Sequence, residues 1–188
     1  MKLIPLLALL VGALLAPAIT SVATTCRAWQ SETVPPPTIR VRLTDHRIVR
    51  VPFALYVARV TSSEWNHVPD SLRKAGAVAV KQYGWWKTMH PRRSPAGCFD
   101  VHADTRDQIY KHHKVPPAYV WAAVTQTWSW RVMRDGRLAH TGYRTGLRRK
   151  CARDVDGYHL KARSGADCAR KGWSARQILR SYYDARVR

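Results

Sequence analysis

Residues 39–65 read IRVRLTDHRIVRVPFALYVARVTSSEW, and their period changes once, at Pro52. Before it, Ile39, Val41 and Leu43 alternate with Arg40 and Arg42, the two-residue period of a strand with one face in a core. Asp45-His46-Arg47 is turn chemistry, and residues 47–51 return as a second strand. Pro52 suits the first position of a helix, where a missing N–H costs nothing. Phe53, Tyr56, Val57 and Val60 then fall at helical spacing, as far as a break at Ser62-Ser63-Glu64-Trp65.

Downstream, Asn66-His67-Val68-Pro69 is a loop, and Asp70 or Ser71 can cap a second helix with the stripe Leu72, Ala75, Ala79, Tyr83 and Trp86. Its middle, residues 75–79, is built of small side chains, so a neighbour should pack closely there. Residues 88–98 read as a basic loop, residues 105–110 as one helical turn, and residues 117–126 as a helix with Val120 and Val124 inward. Residues 128–133 and 137–143 flank Asp135-Gly136, the signature of a hairpin with a type I′ turn. Residues 144–171 read as cysteine-held loop, and residues 173–183 as a last helix capped by Ser174, with Ile178, Leu179 and Tyr182 inward. Strands and helices do not alternate regularly. The expected class is therefore α+β: one compact domain of short strands and helices, with a C-terminal hairpin and a disulfide-stapled loop.

Upstream, Lys2 precedes an apolar run from Leu3 to Ala16, and Ser21-Val22-Ala23 offers a small-x-small cleavage site. Residues 1–23 therefore read as a secretory signal peptide, too short for a membrane span, with no transmembrane segment expected after cleavage. Residues 24–38, with Pro35-Pro36-Pro37, read as a Pro-rich linker, and residues 39–188 as the domain. Export makes a disulfide framework the default for the four cysteines. Cys151 and Cys168 flank a short polar loop and pair first, and Cys26 with Cys98 follows by subtraction. There is no Cys-x-x-Cys, and His112-His113 are adjacent, so neither a metal nor a cofactor is expected.

The formal charge is +20, from 32 Lys and Arg against 12 Asp and Glu. Such a surface gathers polyanions over long range, and outside a cell these include anionic wall polymers. The same excess also follows from GC-rich codon usage and solubility.

Only two glutamates exist, and Glu64 is the one inside the domain. A carboxyl beside an indole in a partly apolar cleft has its pKa raised, which suits a general acid near neutral pH. A helix C-terminal residue that merely accepts nearby backbone amides is the other reading. Asp100, Asp104 and Asp107 cluster as further carboxyls, with turn capping as their plainer role. Trp85-Trp86 and Trp128/Trp130 offer either a sugar-stacking platform or core material.

In order, residues 39–57, Ser63-Glu64-Trp65, Lys74-Ala75-Gly76-Ala77-Val78-Ala79-Val80-Lys81-Gln82-Tyr83, Phe99-Asp100-Val101, Asp107-Gln108-Ile109-Tyr110, Ala123-Val124 with Thr127, the hairpin to Tyr143, and Gln177-Ile178-Leu179 with Tyr182-Tyr183 resemble the SpoIID/LytB family, named for stage II sporulation protein D and the amidase enhancer LytB. The resemblance implies a secreted or wall-associated protein acting on peptidoglycan glycan strands. The family's catalytic glutamate would fall on Glu64, and Gln82, Gln108, Tyr110 and Tyr143 match recurring positions that would contact N-acetyl sugars. Lytic transglycosylation needs a single carboxyl that acts first as acid and then as base. The sequence departs from the family at Gly76, at Lys81-Gln82 and after Tyr143, where a basic stretch and a cysteine-bearing loop stand in place of small, Gly-rich segments.

Three functions follow from these residues. The first is a lytic transglycosylase-like enzyme. The second is a non-catalytic module that binds the wall or recruits a cell-wall amidase. The third is a polyanion binder driven by the basic loops at residues 90–93 and 144–153, with no specific nucleic-acid partner.

Overall fold

A computed structural model describes residues 25–147, 150–153 and 155–188. The expected signal segment, residues 1–23, lies outside the described residues. Strands β1 (Thr38–Arg42) and β2 (Ile48–Pro52) form the expected antiparallel pair, with Ile39 opposite Val51 and Val41 opposite Val49. Helix α1 (Phe53–Glu64) starts directly after Pro52 and buries Phe53, Tyr56, Val57 and Val60, as their spacing predicts.

Helix α2 (Asp70–Met89) is the centre of the molecule. Every residue from Ala75 to Gln82 is buried, so the helix is wrapped on all sides instead of burying one stripe. That corrects the stripe drawn from the sequence: Trp85 is buried, while Tyr83 and Trp86 are half-buried. The small residues have the expected cause. A Cβ added to Gly76 would lie inside the indole of Trp65. Asp70 does not cap α2 but sits in its first turn, paired with Arg73 and Lys74.

Residues 88–98, expected as loop, contain a hairpin of β3 (Arg92–Ser94) and β4 (Gly97–Phe99). It has no apolar alternation to announce it and is held by backbone pairing and by Cys98. Strand β5 (Val101–His102) then joins β1 in parallel. Residues 105–110 do not form a helical turn. Asp104 accepts the Arg106 N–H (3.0 Å) and Asp107 accepts the His102 N–H (2.7 Å), side-chain bonds that compete with helix formation.

Helix α3 (Ala118–Gln126) buries Val120 and Val124. The Asp135-Gly136 turn joins β6 (Val132–Arg134) to β7 (Arg137–Leu138), with φ of 50° and 78°, the left-handed pair that a type I′ turn requires. Strand β8 (Gly142–Arg144) leaves that hairpin and pairs in parallel with β9 (His159–Lys161). Part of the expected cysteine-held loop is helix α4 (Ala162–Arg170), whose buried face is only Ser164, Gly165 and Cys168. Helix α5 (Ala175–Tyr183) carries a capping box between Ser174 and Gln177 and buries Ile178, Leu179 and Tyr182, and β10 (Arg186–Val187) closes onto β6. Helices α1, α3, α4 and α5 all pack on α2, which gives an α+β fold with one core.

Both expected disulfides form, Cys26–Cys98 and Cys151–Cys168. Residues 25–37 are less a tether than a strap along the body. The Trp29 N–H donates to the Thr88 carbonyl (2.9 Å), the Trp85 indole donates to the Ser31 carbonyl (2.8 Å), and Glu32 accepts the Leu138 N–H (2.9 Å). Among the described residues no helix is long and apolar enough to cross a membrane.

Candidate functional site

Glu64 is the last residue of α1, where Trp65 turns inward onto Gly76. Its neighbours come from two distant segments. From the turn after β5, the Ile109 N–H donates to Glu64 Oε1 (2.5 Å). From β8, the Tyr143 ring packs edge-on against Trp65, with centroids 5.3 Å apart. The Tyr143 hydroxyl is buried and lacks a hydrogen bond of good geometry, yet it faces both Glu64 and Gln108. Burial pushes the Glu64 carboxyl above its ordinary value of 4.5, against the smaller opposing pull of Tyr143 and the Ile109 N–H. Burial, and then the charge of Glu64, pushes the Tyr143 phenol up. Glu64 thus favours the protonated phenol of Tyr143, while Tyr143 favours the carboxylate form of Glu64.

Gln108 forms the floor. It is fully buried, its Oε1 accepts from Tyr56 Oη (2.5 Å), and its amide nitrogen reaches the Val80 carbonyl (3.4 Å). Tyr110 lies one step further out. Its ring stacks on Tyr56 at 5.6 Å, and its hydroxyl accepts from Arg59 (2.8 Å). Glu64, Gln108 and Tyr143 therefore converge, and Tyr110 borders them. Gln82 does not join them. It is fully buried, and its amide donates to the carbonyls of Val132 (2.5 Å) and Ala139 (2.7 Å) and accepts the Val132 N–H (2.7 Å). Those bonds fasten β6 to α2 and leave nothing for a sugar.

The three aspartates are occupied. Asp100 holds Arg40 at 2.5 Å, and Asp104 pairs with Arg106. Asp107 has a fully buried side chain that accepts from Tyr83 (2.7 Å), Lys87 (2.9 Å), Arg92 and the His102 N–H (2.7 Å). Burial works upward on Asp107, but these donors outweigh it and hold its carboxyl low. Glu64, half-buried and with one backbone donor, is the carboxyl of these four whose pKa is raised.

A row of rings lies further along α2. His90 stacks on Trp86 at 3.8 Å, Trp86 meets His140 at 4.2 Å, and His140 meets Tyr83 at 5.2 Å. Trp86 is thus the one tryptophan of the Trp85-Trp86 pair open to a ligand. Trp128 packs on Phe53 at 5.9 Å, and Trp130 lies under Arg176 at 4.2 Å.

Sequence reasoning missed two parts of the site. The Ile109 donor is a backbone group, which no side-chain pattern announces. The position of Gln108 beneath Glu64 depends on the turn that Asp104 and Asp107 hold. Among the described residues no group of three or more His, Cys, Asp or Glu side chains could hold a metal. No family model matches the chain, and a search of curated proteins finds no match.

Proposed function

We propose that this is a secreted cell-wall protein of SpoIID/LytB type that cleaves peptidoglycan glycan strands by lytic transglycosylation, with Glu64 as acid and then base. One observation carries the reading. Glu64 is a half-buried carboxyl with a raised pKa that keeps acceptor capacity, while every nearby aspartate is consumed by donors. Protonated Glu64 gives its proton to the glycosidic oxygen that follows a muramyl residue, and the C–O bond breaks to an oxocarbenium-like centre. The Glu64 carboxylate then removes the proton of that sugar's own 6-hydroxyl, whose oxygen closes a 1,6-anhydro ring. No water is activated, so the second carboxylate of ordinary glycosidases is not needed. The Ile109 N–H and Tyr143 steady the carboxylate in the interval between the two transfers. Two disulfides fit an oxidising, extracytoplasmic compartment, and the +20 charge fits retention on anionic wall polymers.

The second reading is a wall-binding or amidase-recruiting module without cleavage. It is favoured by the fact that two cavities, one between residues 27–31 and the β1–β2 pair and one beside Trp86 and His90, are lined by residues other than Glu64. Mass spectrometry of peptidoglycan and of peptide-free glycan strands separates the two. New 1,6-anhydro-muramyl ends from the wild type and none from Glu64→Gln support cleavage. Intact glycan that still pellets both proteins supports the binding module.

A further inference from the structure

The larger cavity, about 560 Å³, lies between the N-terminal strap and the β1–β2 pair. Its size falls within the range of small-molecule sites. Trp29, Pro36 and Pro37 give it an apolar wall, and Arg27, Arg40 and Arg50 line it as well. The three arginines are not equivalent. Arg40 is spent, because its guanidinium grips Asp100 (2.5 Å) and donates to the Arg27 carbonyl (3.1 Å). Arg27 and Arg50 are exposed, and among the described residues neither side chain has a hydrogen bond or ion pair. Among the described residues the only carboxylate in the lining, Asp100, is already neutralised, so the cavity holds two uncompensated positive charges beside an indole and two prolines.

The wall is also fixed in place. Cys26–Cys98 anchors the strap on one side of these residues, and the Trp29 and Trp85 hydrogen bonds hold its middle. A floppy terminus does not make a pocket, but a strap pinned at several points does, and preorganisation lowers the cost of binding.

We infer that this cavity binds a small organic carboxylate with an apolar body, the body lying against Trp29 and the prolines and the carboxylate bridging Arg27 and Arg50. Guanidinium groups suit this role because their donors match the two oxygens of a carboxylate. The site is separate from Glu64 and does not depend on what Glu64 does.

Calorimetric titration of the purified protein with 4-phenylbutyrate tests it, with 4-phenylbutyramide as the uncharged control and acetate as the control without an apolar body. The expected result is one saturable site for phenylbutyrate, with both controls at least about tenfold weaker, the size of one lost charge-assisted contact. The double variant Arg27→Gln/Arg50→Gln loses binding by about tenfold or more. Arg144→Gln/Arg180→Gln removes the same charge from exposed positions outside the cavity and binds like the wild type. All four positions are exposed, so near-ultraviolet circular dichroism should show the native fold in both variants. Equal weakening in the two double variants would reduce the effect to bulk charge and overturn the site. Binding that survives Arg27→Gln/Arg50→Gln, or no binding by the wild type, would overturn it too.

Discussion

Around Lys81, three backbone carbonyls converge on one ammonium: Thr127 at 3.2 Å, Trp128 at 2.6 Å and Trp130 at 2.6 Å, with the Trp128 ring 5.5 Å from Nζ. Around Glu64, a single N–H and a phenol face a carboxyl that is only half-buried. Both groups are shifted by burial toward their neutral forms, Lys81 down to about 7 and Glu64 upward. The difference lies in what the fold gives back. Lys81 has an acceptor for each of its three protons, and its charge ties residues 127–130 to the core. Glu64 receives less than a carboxylate can accept. A buried charge that is fully paired is part of the architecture, whereas one left short is available for chemistry.

The sharpest way to break this contrast is Glu64→Gln. Cleavage should fall by about a hundred- to ten-thousandfold, the span of general acid catalysis. Stability should not fall with it. The folded pKa of Glu64 lies above its unfolded value, so the folded state binds more protons and this group's contribution to stability declines as pH rises through the folded pKa. Glutamine removes that decline. A glycan-cleavage profile whose alkaline limb lies above 4.5 in the wild type is the matching kinetic signature. A Glu64→Gln variant that melts well below the wild type would make Glu64 architectural after all.

Lys81→Ala should do the reverse, with a cost of about 4 kcal/mol in denaturant unfolding, because three carbonyls lose the ammonium and a buried methylene stem is removed, with only Thr127 keeping a second donor in the Trp130 N–H. The pH dependence also has the opposite sign. The folded pKa of Lys81 is depressed to about 7, so between there and the ordinary lysine value of 10.5 the unfolded chain binds more protons and stability rises with pH. Lys81→Met should flatten that rise. An unchanged slope in the Met variant would assign it to another group.

Gln82, the next residue on α2, extends the architectural side. Its amide makes three bonds to the backbone of β6 and of Ala139. Gln82→Leu should cost about 3 kcal/mol, because the Ala139 carbonyl and the Val132 N–H lose their partner, while the Val132 carbonyl keeps only the Ala139 N–H. Glycan binding per folded molecule should be unchanged. A variant that keeps its stability but loses glycan affinity would move Gln82 back among the sugar contacts that the family resemblance implied.

The sequence revealed the parts of the fold where period and burial coincide. The β1–β2 pair and α1 were legible because Ile39, Val41, Phe53, Tyr56 and Val60 repeat at the period of their element and all face one core. Helix α4 was not, because a face of Ser164, Gly165 and Cys168 carries little apolar signal, and the side chains that cover it, Leu72 and Leu160, come from other elements. The β3–β4 hairpin was hidden for the same reason. At the site, Glu64 stood out through scarcity, and Gln108 and Tyr143 through resemblance. Lys81 registered only as a departure from a family pattern, since its cage is assembled from carbonyls 46 to 49 residues away.

The smallest expected effect separates the Glu64 surface from the rest of α2. Trp86 is half-buried and in contact with His90 at 3.8 Å and His140 at 4.2 Å, so its ring is held in orientation without being sealed in the core. The exposed part of such a ring can contact a sugar at little entropic cost, because packing has already fixed its rotamer. Trp86→Ala should therefore weaken binding of N-acetylglucosamine oligomers by about fivefold, near 1 kcal/mol. The matching loss of folding stability should stay below that of Gln82→Leu, since much of the ring already faces water. Longer oligomers should feel the change more than a disaccharide, because the row from Tyr83 to His90, at the C-cap of α2, covers a rise of about 10 Å. Equal weakening at all lengths would place even the shortest sugar on Trp86, and no weakening would remove the ring row from the binding surface.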